Sequence, residues 1–131
     1  MDRKTVVLLV EDNYVLLEML TNLCERAGLK VFAASSGEDA LTLLRRSGGR
    51  IDWLFTDINL PGLIDGWTVA EAYRAFNPRR PVIYASASPR PARVSATGGV
   101  FFRKPFHVAE IVELARMMAR AEHAVPLRAA S

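Results

Sequence analysis

The sequence predicts an α/β fold in which a five-stranded parallel sheet is wound on both faces by helices. Short apolar runs alternate with stretches of helical periodicity along the 131 residues, the pattern of successive βαβ units. Runs such as Val6-Val7-Leu8-Leu9-Val10 are apolar at consecutive positions, so both faces of the sheet must be covered. No repeat or low-complexity tract interrupts the alternation.

Strand β1 is predicted over Thr5 to Val10 and helix α1 over Tyr14 to Ala27. In α1, Leu16, Leu20, Leu23 and Ala27 recur at helical spacing, and Gly28 follows as a left-handed cap. Strand β2 covers Lys30 to Ala34, and α2 covers Glu38 to Ser47, with Ser36 as N-cap and acids in the first turn. Then come β3 (Asp52 to Thr56), α3 (Trp67 to Phe76), β4 (Val82 to Ala85), β5 (Val100 to Phe102) and α5 (Val108 to Glu122). Between β4 and β5, two prolines, two glycines and four hydroxyl residues predict a loop with at most one turn of helix, so the fourth helix is shortened or missing. A single domain over 1–123 and a short, frayed tail over 124–131 follow.

Composition narrows the function. Half the residues are hydrophobic and 24% charged, as in soluble globular proteins and unlike disordered chains. No apolar run reaches the roughly 18 to 20 residues that span a bilayer, and Met1-Asp2-Arg3-Lys4 leads into a strand, so a cytoplasmic protein with no membrane role is expected. One cysteine, Cys24, excludes an internal disulfide and reads as a small buried hydrophobe. The net charge of +3 conceals an asymmetry: residues 1–65 carry ten acids and seven bases, residues 66–131 four acids and ten bases. Those bases are scattered over separate elements with no helix-turn-helix or aromatic platform, so no nucleic-acid partner is expected.

The chemistry collects at the carboxyl ends of the strands, where open α/β sheets bind ligands. Glu11 and Asp12 follow β1, Asp57 follows β3, Ser86 follows β4 and Lys104 follows β5. At about 6 Å and an effective dielectric near 20, each pair of carboxylates there costs roughly 3 kcal/mol, so a cation must offset them. Mg²⁺ suits: it takes one or two carboxylates and keeps an open face for a phosphoryl group. Asp12 is the expected main ligand, Asp57 a second, Glu11 a direct or water-mediated third, and the backbone carbonyl of Asn59 completes the shell. Asp57 would then attack phosphorus in line to form an aspartyl phosphate. Lys104 and the metal would stabilise the charge on the equatorial oxygens, and Ser86 would donate a hydrogen bond to one of them. Taken singly these residues read as caps and surface charges; their joint placement after β1, β3, β4 and β5 reverses that reading.

The chain resembles a response-regulator receiver domain of two-component signalling over about Thr5 to Glu122. The resemblance rests on Val6-Val7-Leu8-Leu9-Val10 before Glu11-Asp12, on Asp57-Ile58-Asn59-Leu60-Pro61-Gly62 with Asp65-Gly66, on Pro81-Val82-Ile83-Tyr84-Ala85-Ser86-Ala87, and on Lys104-Pro105-Phe106. It implies a flavodoxin-like receiver fold, Asp57 as phosphoacceptor, Glu11 and Asp12 on Mg²⁺, Ser86 as switch hydroxyl, Lys104 on the phosphate, Phe101 as switch aromatic and a cis Lys104-Pro105 bond. The implied partners are a histidine kinase or histidine phosphotransfer protein, docking on Tyr14, Val15 and Pro105, and a downstream protein the sequence does not name. The protein is then no enzyme beyond self-catalysed phosphotransfer and autodephosphorylation.

Two departures stand out: Pro61 to Gly66 is one residue longer than the usual turn, and the segment from Ser86 to Lys104 is short. With no output domain visible, the expectation is a stand-alone receiver that relays phosphate, drains it from a kinase or binds a target by itself. The first rival is a phosphorylation-silent receiver used as a binding module, which the full set of acids, Ser86 and Lys104 disfavours. The second, a small Mg²⁺ phosphatase, needs an acid where Asn59 stands. A nucleotide-binding reading fails at β1, which leads into Glu11-Asp12-Asn13 and not a glycine-rich loop. His107 and His123 have no assigned role.

Overall fold

The computed structural model describes residues 4–117. Its elements run β1 (Val6–Val10), α1 (Tyr14–Arg26), β2 (Lys30–Ala34), α2 (Gly37–Ser47), a 3-10 turn (Gly48–Arg50), β3 (Trp53–Asp57), α3 (Gly66–Phe76), β4 (Val82–Ser86), α4 (Ala92–Thr97) and β5 (Val100–Arg103). Residues 108–117 are helical and form the described part of α5. The predicted end of α5 at Glu122 and the tail over 124–131 lie outside the described residues.

All strand pairs are parallel, in the order β2-β1-β3-β4-β5. The order reverses between β1 and β3, and the acids that follow these two strands flank that switch point. Alternation along β1 divides the core: Val6, Leu8 and Val10 join the cluster formed with Leu44, Val69 and Tyr73, whereas Val7 and Leu9 join Leu20, Cys24 and Ile111. The sheet is thus buried by α2 and α3 on one face and by α1 and α5 on the other, as the doubly apolar strands require.

Helix starts follow from short polar side chains. Asn13 Oδ1, Ser36 Oγ and Asp65 Oδ1 each accept a hydrogen bond from a backbone N–H three residues on, at 3.1, 3.0 and 2.9 Å. Gly28, at φ +89°, ends α1 in the left-handed region.

The fourth helix is shortened and not absent. Its six residues make more than one turn, longer than the sequence reading allowed, because Pro91 stands at its N-cap and Gly98 at its C-cap (φ +73°). These residues punctuate the ends of the helix and leave its interior intact. Only Val94 of α4 is buried; the outer attachment is Arg93, whose guanidinium lies 4.6 Å from the Trp67 ring centre and bonds Glu71 at 2.9 Å. Strand β3 runs one residue further than predicted, so Asp57 is its last residue. Asp52, predicted to begin it, is buried and accepts from Val6 N at 2.7 Å.

The turn between β3 and α3 docks on α2. Leu63 N donates to Glu38 Oε2 at 3.3 Å, and a Cβ on Gly37 would collide with the Ile64 carbonyl oxygen. Glycine at 37 therefore lets this turn lie against the start of α2.

Candidate phosphoacceptor site

Parallel pairing carries Glu11, Asp57, Ser86 and Lys104 to one rim. Asp57 pairs with Ala85 and Ser86 with Arg103, and Lys104 N donates to the Ser86 carbonyl at 2.8 Å. The Lys104-Pro105 peptide is cis. From this position Lys104 Nζ bonds Glu11 Oε1 at 2.6 Å and Asp57 Oδ2 at 2.7 Å. One ammonium is shared by two carboxylates from sequence positions 93 and 47 residues away.

The remaining oxygens are also engaged. Glu11 Oε2 accepts from Asn13 N at 3.0 Å, and Asp57 Oδ1 accepts from Asn59 N at 2.9 Å. Asp12 faces solvent while Glu11 and Asp57 are buried, and one oxygen of each of the three lies within 4.8 Å of the others. An all-oxygen anionic set of this size suits a hard divalent cation. Asp12 is the exposed member of the set, whereas both oxygens of Glu11 and both of Asp57 already accept hydrogen bonds. Asp12 and Asn59 also line one wall of an open groove of about 360 Å³ with Asp65 and Trp67.

The electrostatics follow from burial. Burial raises the Glu11 carboxyl above its ordinary value, with the bonds from Lys104 and Asn13 N pulling the other way. For Lys104, burial alone would lower the pKa, but the bonds to Asp57 and Glu11 outweigh it and the ammonium is held above its ordinary value. The two partners differ because the Glu11 side chain is fully enclosed, whereas that of Lys104 keeps 21% of its surface and has two acceptors. Cys24 is a free, buried thiol, and burial pushes it up to about 11.

Ser86 Oγ accepts from Asn59 Nδ2 at 2.8 Å and from Ser88 N at 3.1 Å, leaving its own proton to donate. The side-chain amide of Asn59 was not anticipated; only its carbonyl was. Asn13 and Asp65 also escaped the sequence reading, although each precedes a helix as a cap residue should. Phe101 is half-buried and packs on the α2–α3 side of the sheet, opposite Tyr84 in register. Tyr84 is fully buried, and its hydroxyl accepts from Arg74 Nη1 at 2.8 Å.

The chain as a whole is similar to known proteins. The family model of the response regulator receiver domain matches residues 7–116. The chain belongs to this family. It is 32% identical over 118 residues to the probable transcriptional regulatory protein TcrX of Mycobacterium tuberculosis, covering 87% of this chain and 49% of TcrX. It is 30% identical to the transcriptional regulatory protein HprR of Escherichia coli, covering 91% of this chain and 53% of HprR. The chain thus spans about half the length of these curated relatives. The crystal structure of a response regulator receiver protein from Sinorhizobium medicae superposes with a TM-score of 0.77 at 29% identity, covering 91% of this chain and 97% of that one. The receiver fold is a five-stranded parallel sheet with a shortened α4, and among the described residues no helix is long and apolar enough to cross a membrane.

Proposed function

We propose that this receiver, taken as residues 1–123, accepts a phosphoryl group on Asp57 from a phosphohistidine of a histidine kinase or phosphotransfer protein. The observation that carries the reading is the Lys104 ammonium bridging Glu11 and Asp57 at 2.6 and 2.7 Å. A carboxylate oxygen of Asp57 forms the new O–P bond as the N–P bond of the donor breaks, and the imidazole leaves with its electron pair and takes a proton from solvent. Mg²⁺, when bound by Asp12, Asp57, the Asn59 carbonyl and, through water, Glu11, supplies charge neutralisation for the phosphoryl oxygens. Lys104 turns from the Asp57 carboxylate to a phosphoryl oxygen, and Ser86 donates its hydroxyl proton to another.

The donor docks beside this crevice. Tyr14 and Val15 are 74% and 69% exposed on the first turn of α1, and Pro105 is exposed after β5. Between them lies an open hollow of about 390 Å³ lined by Asn13, Leu16, Ala87, Lys104, Pro105 and Phe106. Drawing Ser86 toward the phosphate frees space above β4 into which Phe101 turns further, so phosphorylation favours a conformation already sampled and alters the surface offered to a downstream protein. Phe101 has no hydroxyl to bury on the way.

Intact mass after incubation with acetyl phosphate tests the reading, with and without Mg²⁺, on the wild type and Asp57→Asn. One phosphoryl adduct that requires both Mg²⁺ and Asp57 is the expected result. No adduct, with acetyl phosphate or a kinase donor, would overturn it and favour a silent binding module.

A further inference from the structure

Basic side chains gather at the end of the sheet opposite Asp57. At the amino ends of β1 and β2, Lys4, Val6, Lys30, Gly49, Arg50 and Arg80 line an open groove of about 560 Å³. A second groove of about 270 Å³ adjoins it through Gly49 and Arg80, and adds Phe76, Asn77, Pro78 and Arg79. Among the described residues, no carboxylate lines either groove. The neighbouring acid, Asp52, is buried and accepts a hydrogen bond from Val6 N at 2.7 Å, and the cations on which the site relies are Lys30 and Arg50. From the two grooves together we infer that they bind a nucleotide carrying two or more phosphates, its phosphate tail in the larger groove and its base against Phe76.

The floor is a built structure and not a chance gathering of surface lysines. Arg80 Nη1 donates to the carbonyls of Gly49 and Ile51 at 3.0 and 2.9 Å and to Asn77 Oδ1 at 2.9 Å. Asn77, itself buried, donates to the Gly48 carbonyl at 2.8 Å. These bonds clamp the 3-10 turn to the α3–β4 connection, and fix the positions from which Arg50 and Arg79 project. Lys30 lies 5.5 Å from the Phe32 ring centre, and neither Lys30 nor Arg50 has a carboxylate partner among the described residues. Their charge is available to phosphate oxygens, which take charge-assisted bonds from ammonium and guanidinium groups.

The second groove supplies what a bare phosphate site would lack. Phe76 is half-exposed, and its ring lies so close to Gly48 that a Cβ there would meet it at 2.7 Å. Glycine at 48 thus holds one face of the ring against the turn. An aromatic ring beside a cationic compartment matches a planar base joined to a phosphate chain better than it matches an acidic peptide, which offers carboxylates but no ring. The larger groove falls in the volume range of small-molecule sites, about 300–1,000 Å³.

The test uses the full 131-residue chain in EDTA, so that no metal occupies the acidic rim, and follows amide NMR shifts during titration with ATP and with tripolyphosphate. Saturable shifts are expected at Lys30, Gly49, Arg50 and Arg80 and not at Asp12 or Asn59. Lys30→Ala/Arg50→Ala should weaken both ligands by about tenfold or more, the equivalent of at least one charge-assisted bond. Phe76→Leu, which keeps the packing on Gly48, should weaken ATP alone. Both variants should label with acetyl phosphate as the wild type does, showing that they are folded. Absence of saturable shifts in the wild type, or shifts that ignore the double substitution, would overturn the site. Equal affinity for ATP and tripolyphosphate, untouched by Phe76→Leu, would overturn a nucleotide as its ligand, as would much tighter binding of a poly-glutamate peptide or an oligonucleotide.

Discussion

Asn59 Nδ2 donates to Ser86 Oγ at 2.8 Å, tying the turn after β3 to the end of β4 before any phosphate is present. Ser86 therefore does two things: it accepts from Asn59 and Ser88 N, and it keeps a proton aimed elsewhere. Ser86→Ala leaves both donors without this acceptor in a partly buried site and should cost about 1–2 kcal/mol of stability. Ser86→Thr restores the acceptor and should recover most of it. Urea melts of the two variants check this, and labelling with acetyl phosphate should be slower for Ser86→Ala than for Ser86→Thr.

Removing the shared ammonium should be more damaging. Lys104→Met retains the apolar stem but leaves the buried Glu11 and Asp57 carboxylates facing one another, at a cost of about 3 kcal/mol at pH 7 without metal. Adding Mg²⁺ should shrink the deficit by neutralising the pair, and so should acid, which protonates the Glu11 carboxyl that burial holds above its ordinary value. Denaturant midpoints under the three conditions report it; a deficit indifferent to both would mean that Lys104 acts through packing alone.

Both shifted groups have defined pH limbs. Glu11 has a folded value raised above its ordinary 4.5, so protonation favours the folded state: its contribution is full below about pH 4.5 and is lost as pH rises through the raised value. In metal-free urea melts, the stability of the wild type relative to Glu11→Gln should therefore decline as pH rises from 4 toward neutrality. Lys104, raised above 10.5, contributes fully below that pH and loses its contribution as pH rises through its folded value. On the alkaline side, the advantage of the wild type over Lys104→Met should accordingly fade only as pH rises through that raised value.

Gly66 is fixed by space and not by dihedral angle. A Cβ there would collide with the Asp57 carbonyl oxygen and lie 2.7 Å from Ile58 Cα, both backbone atoms that cannot swing aside. Gly66→Ala should cost about 3 kcal/mol through overpacking and displace the phosphoacceptor with it. Thermal melting and acetyl phosphate labelling should both fall; unchanged labelling in a folded variant would show that the Asp57 backbone tolerates the shift.

Much of the fold was legible because its signals are local or additive. The doubly apolar runs of β1, β3 and β4 state that the sheet is covered on both sides, and Ser36 and Gly28 mark helix ends through their own chemistry. The parallel order then brings the residues after each strand to one rim, so the sequence alone groups Glu11, Asp12, Asp57, Ser86 and Lys104. The segment after β4 was harder: Pro89, Pro91, Gly98 and Gly99 read as helix breakers, yet Pro91 and Gly98 cap a six-residue helix whose one buried anchor is Val94.

The chain alone determined the five strands, every helix but α4, the grouping of the rim residues and the family, since periodicity, capping and motif spacing are written in neighbouring residues. What only tertiary structure decided is how those residues engage. The amide of Asn59 on Ser86, the turn at Leu63 held by Glu38, and the basic grooves joined at Arg80 unite positions 25 to 31 residues apart. Such contacts depend on register, twist and loop path to within an ångström, and no pattern along the chain encodes a distance of that kind.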